Sequence, residues 1–185
     1  MGRYMLTHFY NSPQFGENWF DYDDVYRLMV ENCQEAGHIV EIGSWRGRSA
    51  SFLIIEAKNK SPKIRIDLVD HFMGSPEHSG VTQEFLFSEI TKNLSPLNGL
   101  YNIVKKPSLQ ASMEYKDNSL DGVFIDGNHE YENVKADILA WMPKIRKGGI
   151  LAGHDYCNGW QSVVRAVNDT LKDFKILKNS WVKQC

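Results

Sequence analysis

The stretch from Leu120 to Tyr156, LDGVFIDGNHEYENVKADILAWMPKIRKGGILAGHDY, constrains the fold of this 185-residue chain more than any other. Two short apolar runs, VFI and ILAG, each lead to an aspartate: Asp126 after the first and Asp155 after the second. Neither run alternates apolar with polar residues, as expected of strands covered on both faces. Between them Val134, Ile138, Trp141 and Met142 recur at helical spacing and read as core. A strand–helix–strand crossover makes the two strands parallel neighbours, so both aspartates are expected at one sheet edge. In open α/β sheets, ligands bind at that carboxyl edge. Asp126, Asp155 and the nearby His129 therefore read as chemistry, although each aspartate alone could cap the segment that follows and His129 could brace its loop.

The rest of the chain repeats this alternation. Glu17 to Gln34 is helical in pattern, with Val25, Leu28, Met29 and Cys33 on one face and Gly37 as the stop. HIVEI (38–42) reads as a strand, followed by a glycine turn and a helix over 48–59. KIRIDLVD is a second strand ending at Asp70, residues 71–84 a loop, 83–94 a helix, and YNIVKK (101–106) a third strand. After the Leu120–Tyr156 run, Val164, Val167 and Leu171 mark a helix between Trp160 and Asp173. FKIL and SWVKQ, separated only by Lys178–Asn179, are expected to pair as a hairpin. The order specifies an α/β fold: a doubly wound, Rossmann-like, mostly parallel seven-stranded sheet with a C-terminal antiparallel hairpin and helices on both faces. A single domain over 1–185 is expected, with residues 1–36 as an N-terminal helical, substrate-side segment and 37–185 as the core.

Composition removes several functional classes. A net charge of −2 and scattered basic residues give no electrostatic case for nucleic acid or an anionic membrane as partner. No apolar run approaches the ~20 residues that span a bilayer, and MGRYMLTHFYNSP does not resemble a signal peptide. Cys33, Cys157 and Cys185 lack metal-type spacing, which fits a reducing cytoplasm.

The first strand runs into Glu41-Ile-Gly43-Ser44-Trp45-Arg-Gly47-Arg-Ser49. Glycines there let backbone approach a ligand, and Ser49 falls where a helix N-terminus favours an anion. The spacing is neither G-x-G-x-x-G nor a P-loop. Asp70 ends the second strand, where a carboxylate can accept from ribose hydroxyls. These features could instead be structural: Glu41 as a satisfied buried acid, Asp70 as a turn residue, Ser108 as a helix cap.

With EIGSWRGRSA, Asp70 and the terminal hairpin in place, the chain resembles the class I S-adenosylmethionine-dependent methyltransferases over residues 36–184. Within them it is most similar to the catechol O-methyltransferase group and the small family of macrolide-sugar O-methyltransferases. The resemblance implies S-adenosylmethionine as cofactor, held at its methionine portion by Gly43, Trp45 and Ser49, with Glu41 supporting the amino end and Ser44, Gly47 and His71 also in the cofactor site. Asp70 would meet the ribose, Ser108 the adenine edge, and Asp126 the junction with the acceptor. It further implies that Asp126 and Asp155 ligate a divalent metal, normally Mg²⁺, and that His129 is the general base, where the catechol enzymes usually carry lysine. Two positions depart from the pattern: Tyr156 replaces a frequent asparagine, and Gly127–Asn128 replace a bulkier pair that packs on the adenine. The implied partner is a small hydroxylated acceptor, a sugar-bearing metabolite or a phenol, selected by residues 1–20, the 71–84 loop, or a neighbouring subunit of a homo-oligomer. The aromatic residues Phe9, Tyr10, Phe15, Trp19 and Phe20 are expected to cover the sheet edge rather than line the acceptor mouth. The alternatives are a nicotinamide-dependent oxidoreductase on the same kind of sheet and a non-catalytic cofactor-binding module.

Overall fold

The computed structural model describes residues 5–74 and 80–185, so part of the 71–84 loop lies outside the described residues. The sheet has seven strands: β1 (His38–Ile42), β2 (Arg65–Asp70), β3 (Asn102–Lys105), β4 (Leu120–Ile125), β5 (Ile145–Gly153), β6 (Lys175–Leu177) and β7 (Ser180–Gln184). Their spatial order is β3-β2-β1-β4-β5-β7-β6. β1 to β5 run parallel, and β7 pairs antiparallel with both β5 and β6. Reversal of strand order between β1 and β4 opens a crevice at their carboxyl ends, the usual ligand position in such sheets.

The two faces of the sheet carry separate cores. On one face Ile39, Phe124, Ile150 and Ala152 pack with α1 (Asp23–Asn32), α2 (Arg48–Lys60) and α3 (Gln83–Asn93). On the other, Val40, Val123, Ile125 and Leu151 pack with α4 (Ser108–Ser112), α5 (Tyr131–Trp141) and α6 (Gln161–Thr170). Alternation along each strand therefore distributes apolar residues to both sides, which is why the strands read as unbroken apolar runs. Phe52, Leu53, Ile54 and Ile55 of α2 are all fully buried, each contributing about 1.5–3 kcal/mol. Trp141, Val134 and Ile138 are core as expected, with Met142 at its margin.

Two details of α1 differ from the pattern reading. The helix begins at Asp23, six residues after Glu17, with Asp23 and Asp24 in its first turn complementing the helix dipole. Its buried face is Val25, Tyr26, Met29, Val30 and Cys33, while Leu28 is exposed. Tyr26 takes the inner position because its hydroxyl reaches buried Glu41 (2.5 Å).

The segment before α1 is tied to α2 by a series of polar contacts. Leu6 and Asn59 exchange two hydrogen bonds (2.7 and 2.9 Å), and His8 Nε2 lies 2.8 Å from Glu56. Arg48 donates to the carbonyls of Tyr10 (2.5 Å) and Gly16 (2.7 Å). These anchors deliver residues 17–22 in a non-helical path across the carboxyl end of the sheet. Among the described residues no helix is long and apolar enough to cross a membrane, and the three cysteines are unpaired thiols.

Candidate active site

A cavity of about 580 Å³ occupies the crevice above β1, β2, β4 and β5. That volume suits a ligand of cofactor size. Its floor is the β1–α2 loop with Asp70 and His71, its far wall is Asp126, Gly127, His129, His154 and Asp155, and its roof is the segment from Glu17 to Tyr22.

The β1–α2 loop is shaped by left-handed backbone at Gly43 (φ 83°), Trp45 (φ 47°) and Gly47 (φ 88°). At Gly43 a Cβ would lie 2.2 Å from the Asp126 carbonyl oxygen, so close approach of the β1 and β4 ends requires glycine. The curl aims two amides at Asp70, whose Oδ2 accepts from Ser44 N (2.9 Å) and Trp45 N (3.2 Å) while Oδ1 accepts from Phe72 N (2.7 Å). A carboxylate has about four acceptor positions, so roughly one remains for a ligand hydroxyl. His71 lines the cavity beside it and accepts from Met73 N through Nδ1 (2.9 Å).

Glu41 is fully buried and does not line the cavity. Its two oxygens accept from Tyr26 Oη (2.5 Å) and Ser44 Oγ (2.6 Å). Burial raises its carboxyl above the ordinary value, against the hydrogen bonds from Ser44, Tyr26 and Ser49. Glu41 therefore reaches a ligand only through the loop it braces. Ser49, in the first turn of α2, is at the cavity wall, whereas Gly47 sits behind it against Leu94 and Ile90.

Ser108 is not brought to this cavity. At the start of α4 it donates to Asp137 Oδ1 (2.5 Å) and accepts from Trp141 Nε1 (2.8 Å), which commits its hydroxyl to the opposite face of the sheet.

The far wall brings Asp126 and Asp155 together, as parallel pairing of β4 and β5 requires. β5 ends at Gly153, and a left-handed Asp155 (φ 60°) turns the chain there. His154 consequently does not point to the opposite sheet face from Asp155; strand alternation has already stopped, and both line the cavity. His154 Nδ1 lies 3.4 Å from Asp155 Oδ1 and 3.8 Å from Asp126 Oδ1. One ligand atom from each of Asp126, His154 and Asp155 falls within 4.8 Å of the others, a grouping able to hold a cation. Asp155 Oδ2 lies 2.8 Å from His129 Nε2, and the His129 ring stacks on Trp160 at 3.9 Å. Tyr156 is turned away, its hydroxyl on Asn168 (3.1 Å).

Electrostatics separate the two carboxylates. Burial pushes Asp126 up to about 7, with the charge of Asp155 adding to it and that of His154 opposing it. Burial acts upward on Asp155 as well. Hydrogen bonds and charge from His129 and His154 outweigh it, holding that carboxyl well below the usual range. His154 is lifted to about 9, because Asp155, Asp126 and Asp21 overcome its desolvation.

Several residues of the site carry no local signal in the sequence. Tyr22 donates to Asp126 Oδ2 (2.8 Å) from 104 positions away, and Asp21 accepts from His154 Nε2 (2.8 Å) and Asn179 Nδ2 (2.9 Å). Phe15, Trp19 and Phe20 line the cavity rather than merely covering the sheet edge. Trp19 approaches Trp45 at 6.3 Å between ring centroids. Only the adjacency of His154 to Asp155 is visible in the sequence, and strand alternation, were it to continue past Gly153, would turn the two side chains apart.

Comparison with known proteins agrees with this architecture. Residues 40–156 match the family model described as a methyltransferase domain. The protein y4gI of Sinorhizobium fredii is 29% identical over 154 residues, covering 80% of this chain and 17% of that protein. The chain thus spans less than a fifth of that relative's length. The crystal structure of CalS11, a calicheamicin methyltransferase, superposes with a TM-score of 0.66 at 17% identity, covering 88% of this chain and 77% of CalS11. The O-methyltransferase NovP superposes with a TM-score of 0.64 at 17% identity, covering 88% and 78%. At that identity the structural likeness speaks for the fold. The chain belongs to the methyltransferase-domain family. That membership speaks against the nicotinamide alternative.

Proposed function

We propose that this protein methylates a hydroxyl oxygen on a small molecule, with a sugar-bearing metabolite preferred over a phenol, and that His129 removes the proton. The observation that carries the reading is the 2.8 Å contact between His129 Nε2 and Asp155 Oδ2 at the cavity wall, beside Asp126. The sugar preference draws on CalS11, described as a TDP-rhamnose 3′-O-methyltransferase.

S-adenosylmethionine, when bound, supplies a methyl group activated by its sulfonium. The glycine loop fits this cofactor: it is open to the cavity, backed by α2, and carries Ser49 where an anionic carboxylate is favoured. Asp70 has an acceptor position left for a ribose hydroxyl. Asp155 accepts from Nε2 and so fixes the His129 tautomer in which Nδ1 takes a proton. Trp160 stacks on the ring and favours its cationic form after proton removal. His129 would take the acceptor proton at Nδ1 and leave the oxygen's electron pair free to accept the methyl group that the cofactor would supply. Asp126, His154 and Asp155 are spaced to hold a divalent cation, which would acidify an acceptor hydroxyl as a Lewis acid.

A thermal-shift series tests the reading. S-adenosylmethionine or S-adenosylhomocysteine at ~100 times its dissociation constant should stabilise by about 2.7 kcal/mol, while NAD gives no shift. No stabilisation by either sulfur compound would refute it. Turnover with a nucleotide-linked deoxysugar in a methyl-release assay then separates catalysis from a non-catalytic module.

A further inference from the structure

The geometry points to a first-row transition-metal dication, rather than Mg²⁺, as the occupant of the Asp126–His154–Asp155 grouping, with His154 Nδ1 as a direct nitrogen ligand. This builds on the cation reading of the two aspartates and is independent of which acceptor is methylated.

Each of the three residues offers one atom to a common centre while its other polar atom is held by a neighbour. Asp126 turns Oδ1 towards His154 Nδ1 (3.8 Å), and its Oδ2 accepts from Tyr22 (2.8 Å). Asp155 turns Oδ1 to the same nitrogen (3.4 Å), and its Oδ2 is engaged by His129 (2.8 Å). His154 places Nε2 on Asp21 Oδ1 (2.8 Å), and Asp21 is itself fixed by Asn179 (2.9 Å). A carboxylate can only accept, so Nε2 carries the hydrogen and Nδ1 is the atom turned to the two aspartates. A carboxylate behind a ligating imidazole is the arrangement that sets ring orientation and raises ligand basicity in metalloproteins. A separate cavity of about 10 Å³ opens between Asp126, His129, His154 and Asp155, at the lower limit of what one water fills.

The donor set decides the class of metal. Mg²⁺ takes hard oxygen ligands in near-ideal octahedral geometry. Imidazole nitrogen suits the borderline first-row dications, whose affinity rises along the Irving–Williams order. Tyr156, engaged with Asn168, supplies no oxygen in its place.

The test uses the full chain stripped of metal with a chelator. Titration calorimetry with Co²⁺ and with Mg²⁺ gives the affinity ratio, and pulsed electron paramagnetic resonance of the Mn²⁺-loaded protein reads directly bonded nitrogen. The expected result is a ¹⁴N coupling in the native protein that becomes ¹⁵N after histidine labelling. His154→Asp, which restores an all-oxygen site, should abolish that coupling and lower the Co²⁺-to-Mg²⁺ ratio at least ~10-fold. Asp21→Asn, which leaves all three ligands in place, should weaken Co²⁺ binding ~10–100-fold. Absence of nitrogen coupling in the native protein, or an unchanged ratio in a folded His154→Asp, overturns the inference. Stabilisation by S-adenosylhomocysteine is measured in parallel: its loss would overturn the methyl-transfer reading, and its persistence without metal binding would overturn only this one.

Discussion

Replacing Gly43 with alanine should be the most damaging single-methyl change in the cofactor half of the site. Its φ of 83° is left-handed, which costs an L-residue about 1–2 kcal/mol. The added Cβ would sit 2.2 Å from the Asp126 carbonyl oxygen and 2.5 Å from Asp126 C and Gly127 Cα, against an ordinary C···O approach of about 3.3 Å. Relief must come from backbone, by parting the ends of β1 and β4 by roughly 1 Å. That movement strains the hydrogen bond from Asp126 N to Ile42 O (2.8 Å), worth about 1 kcal/mol made and about 1–3 if left unsatisfied. The total is about 2–5 kcal/mol, which for a chain of this length lowers Tm by on the order of 10 °C. Two neighbouring glycines calibrate the argument. Gly47→Ala has the same backbone sign (φ 88°) but meets flexible side chains, Leu94 Cγ at 3.0 Å and Ile90 Cγ1 at 3.1 Å, and should cost about 1–2 kcal/mol. Gly127→Ala meets Ile42 Cγ2 at 3.5 Å without a left-handed φ, so it should be neutral or stabilising by up to about 1 kcal/mol. Urea unfolding of the three variants gives the ranking directly. A Gly43→Ala protein within about 1 kcal/mol of the native one, or a Gly127→Ala protein equally damaged, would refute the close-approach reasoning.

Three further outcomes are expected. His129→Ala should lower kcat by roughly 10²–10⁴ and remove the ascending limb of the pH–rate profile; an unchanged profile would demote His129 to a structural role. Tyr26→Phe removes a buried donor from Glu41 and should cost about 1–3 kcal/mol; a denaturation midpoint equal to that of the native protein would show that Glu41 finds another partner. Asp137 is pushed up to about 6 by burial, against its hydrogen bond from Ser108. A carboxyl with a raised folded pKa binds its proton more tightly when folded. Its contribution is therefore full below pH ~4 and lost as pH rises through about 6. Asp137→Asn keeps the Ser108 acceptor and should match the native protein at pH 4 while exceeding it by up to about 3 kcal/mol at pH 8. Parallel stability–pH curves for the two proteins would contradict this.

The succession of strands, their parallel polarity and the adjacency of β4 and β5 were legible because β1 to β5 are apolar runs joined by helices that force parallel crossovers. The hairpin was legible from Lys178–Asn179, too short a link for anything but antiparallel pairing. Helical periodicity misjudged the start of α1, because Glu17 to Tyr22 contains aromatic residues at intervals a helix would also accept. Their actual partners are distant: Phe20 packs on Phe52, and Tyr22 on Phe124 and Asp126. Such tertiary contacts override a local pattern and leave no trace in spacing. The placement of His154 was not legible for the opposite reason. The alternation rule is sound within a strand, and β5 stops one residue too early for it to apply.

The two halves of the site differ in how they are built, and this sets how freely each can change. The proposed cofactor half is largely one contiguous loop whose amides, held by Asp70, are part of the fold itself: altering Gly43 or Asp70 disturbs the meeting of β1, β2 and β4. The proposed acceptor half is gathered from separate segments, the 17–22 strap, the β4–α5 loop, the turn after β5 and Asn179 of the hairpin. Its strap is anchored through residues 6–16 on α2, so exposed positions such as Trp19 can be exchanged without loosening those anchors. Substitution at Trp19, which is exposed at the cavity mouth, should therefore alter KM for the acceptor while leaving Tm within about 1 °C and S-adenosylhomocysteine affinity within about twofold. A Trp19→Ala protein that loses cofactor affinity and acceptor affinity equally would show instead that the strap closes one undivided pocket.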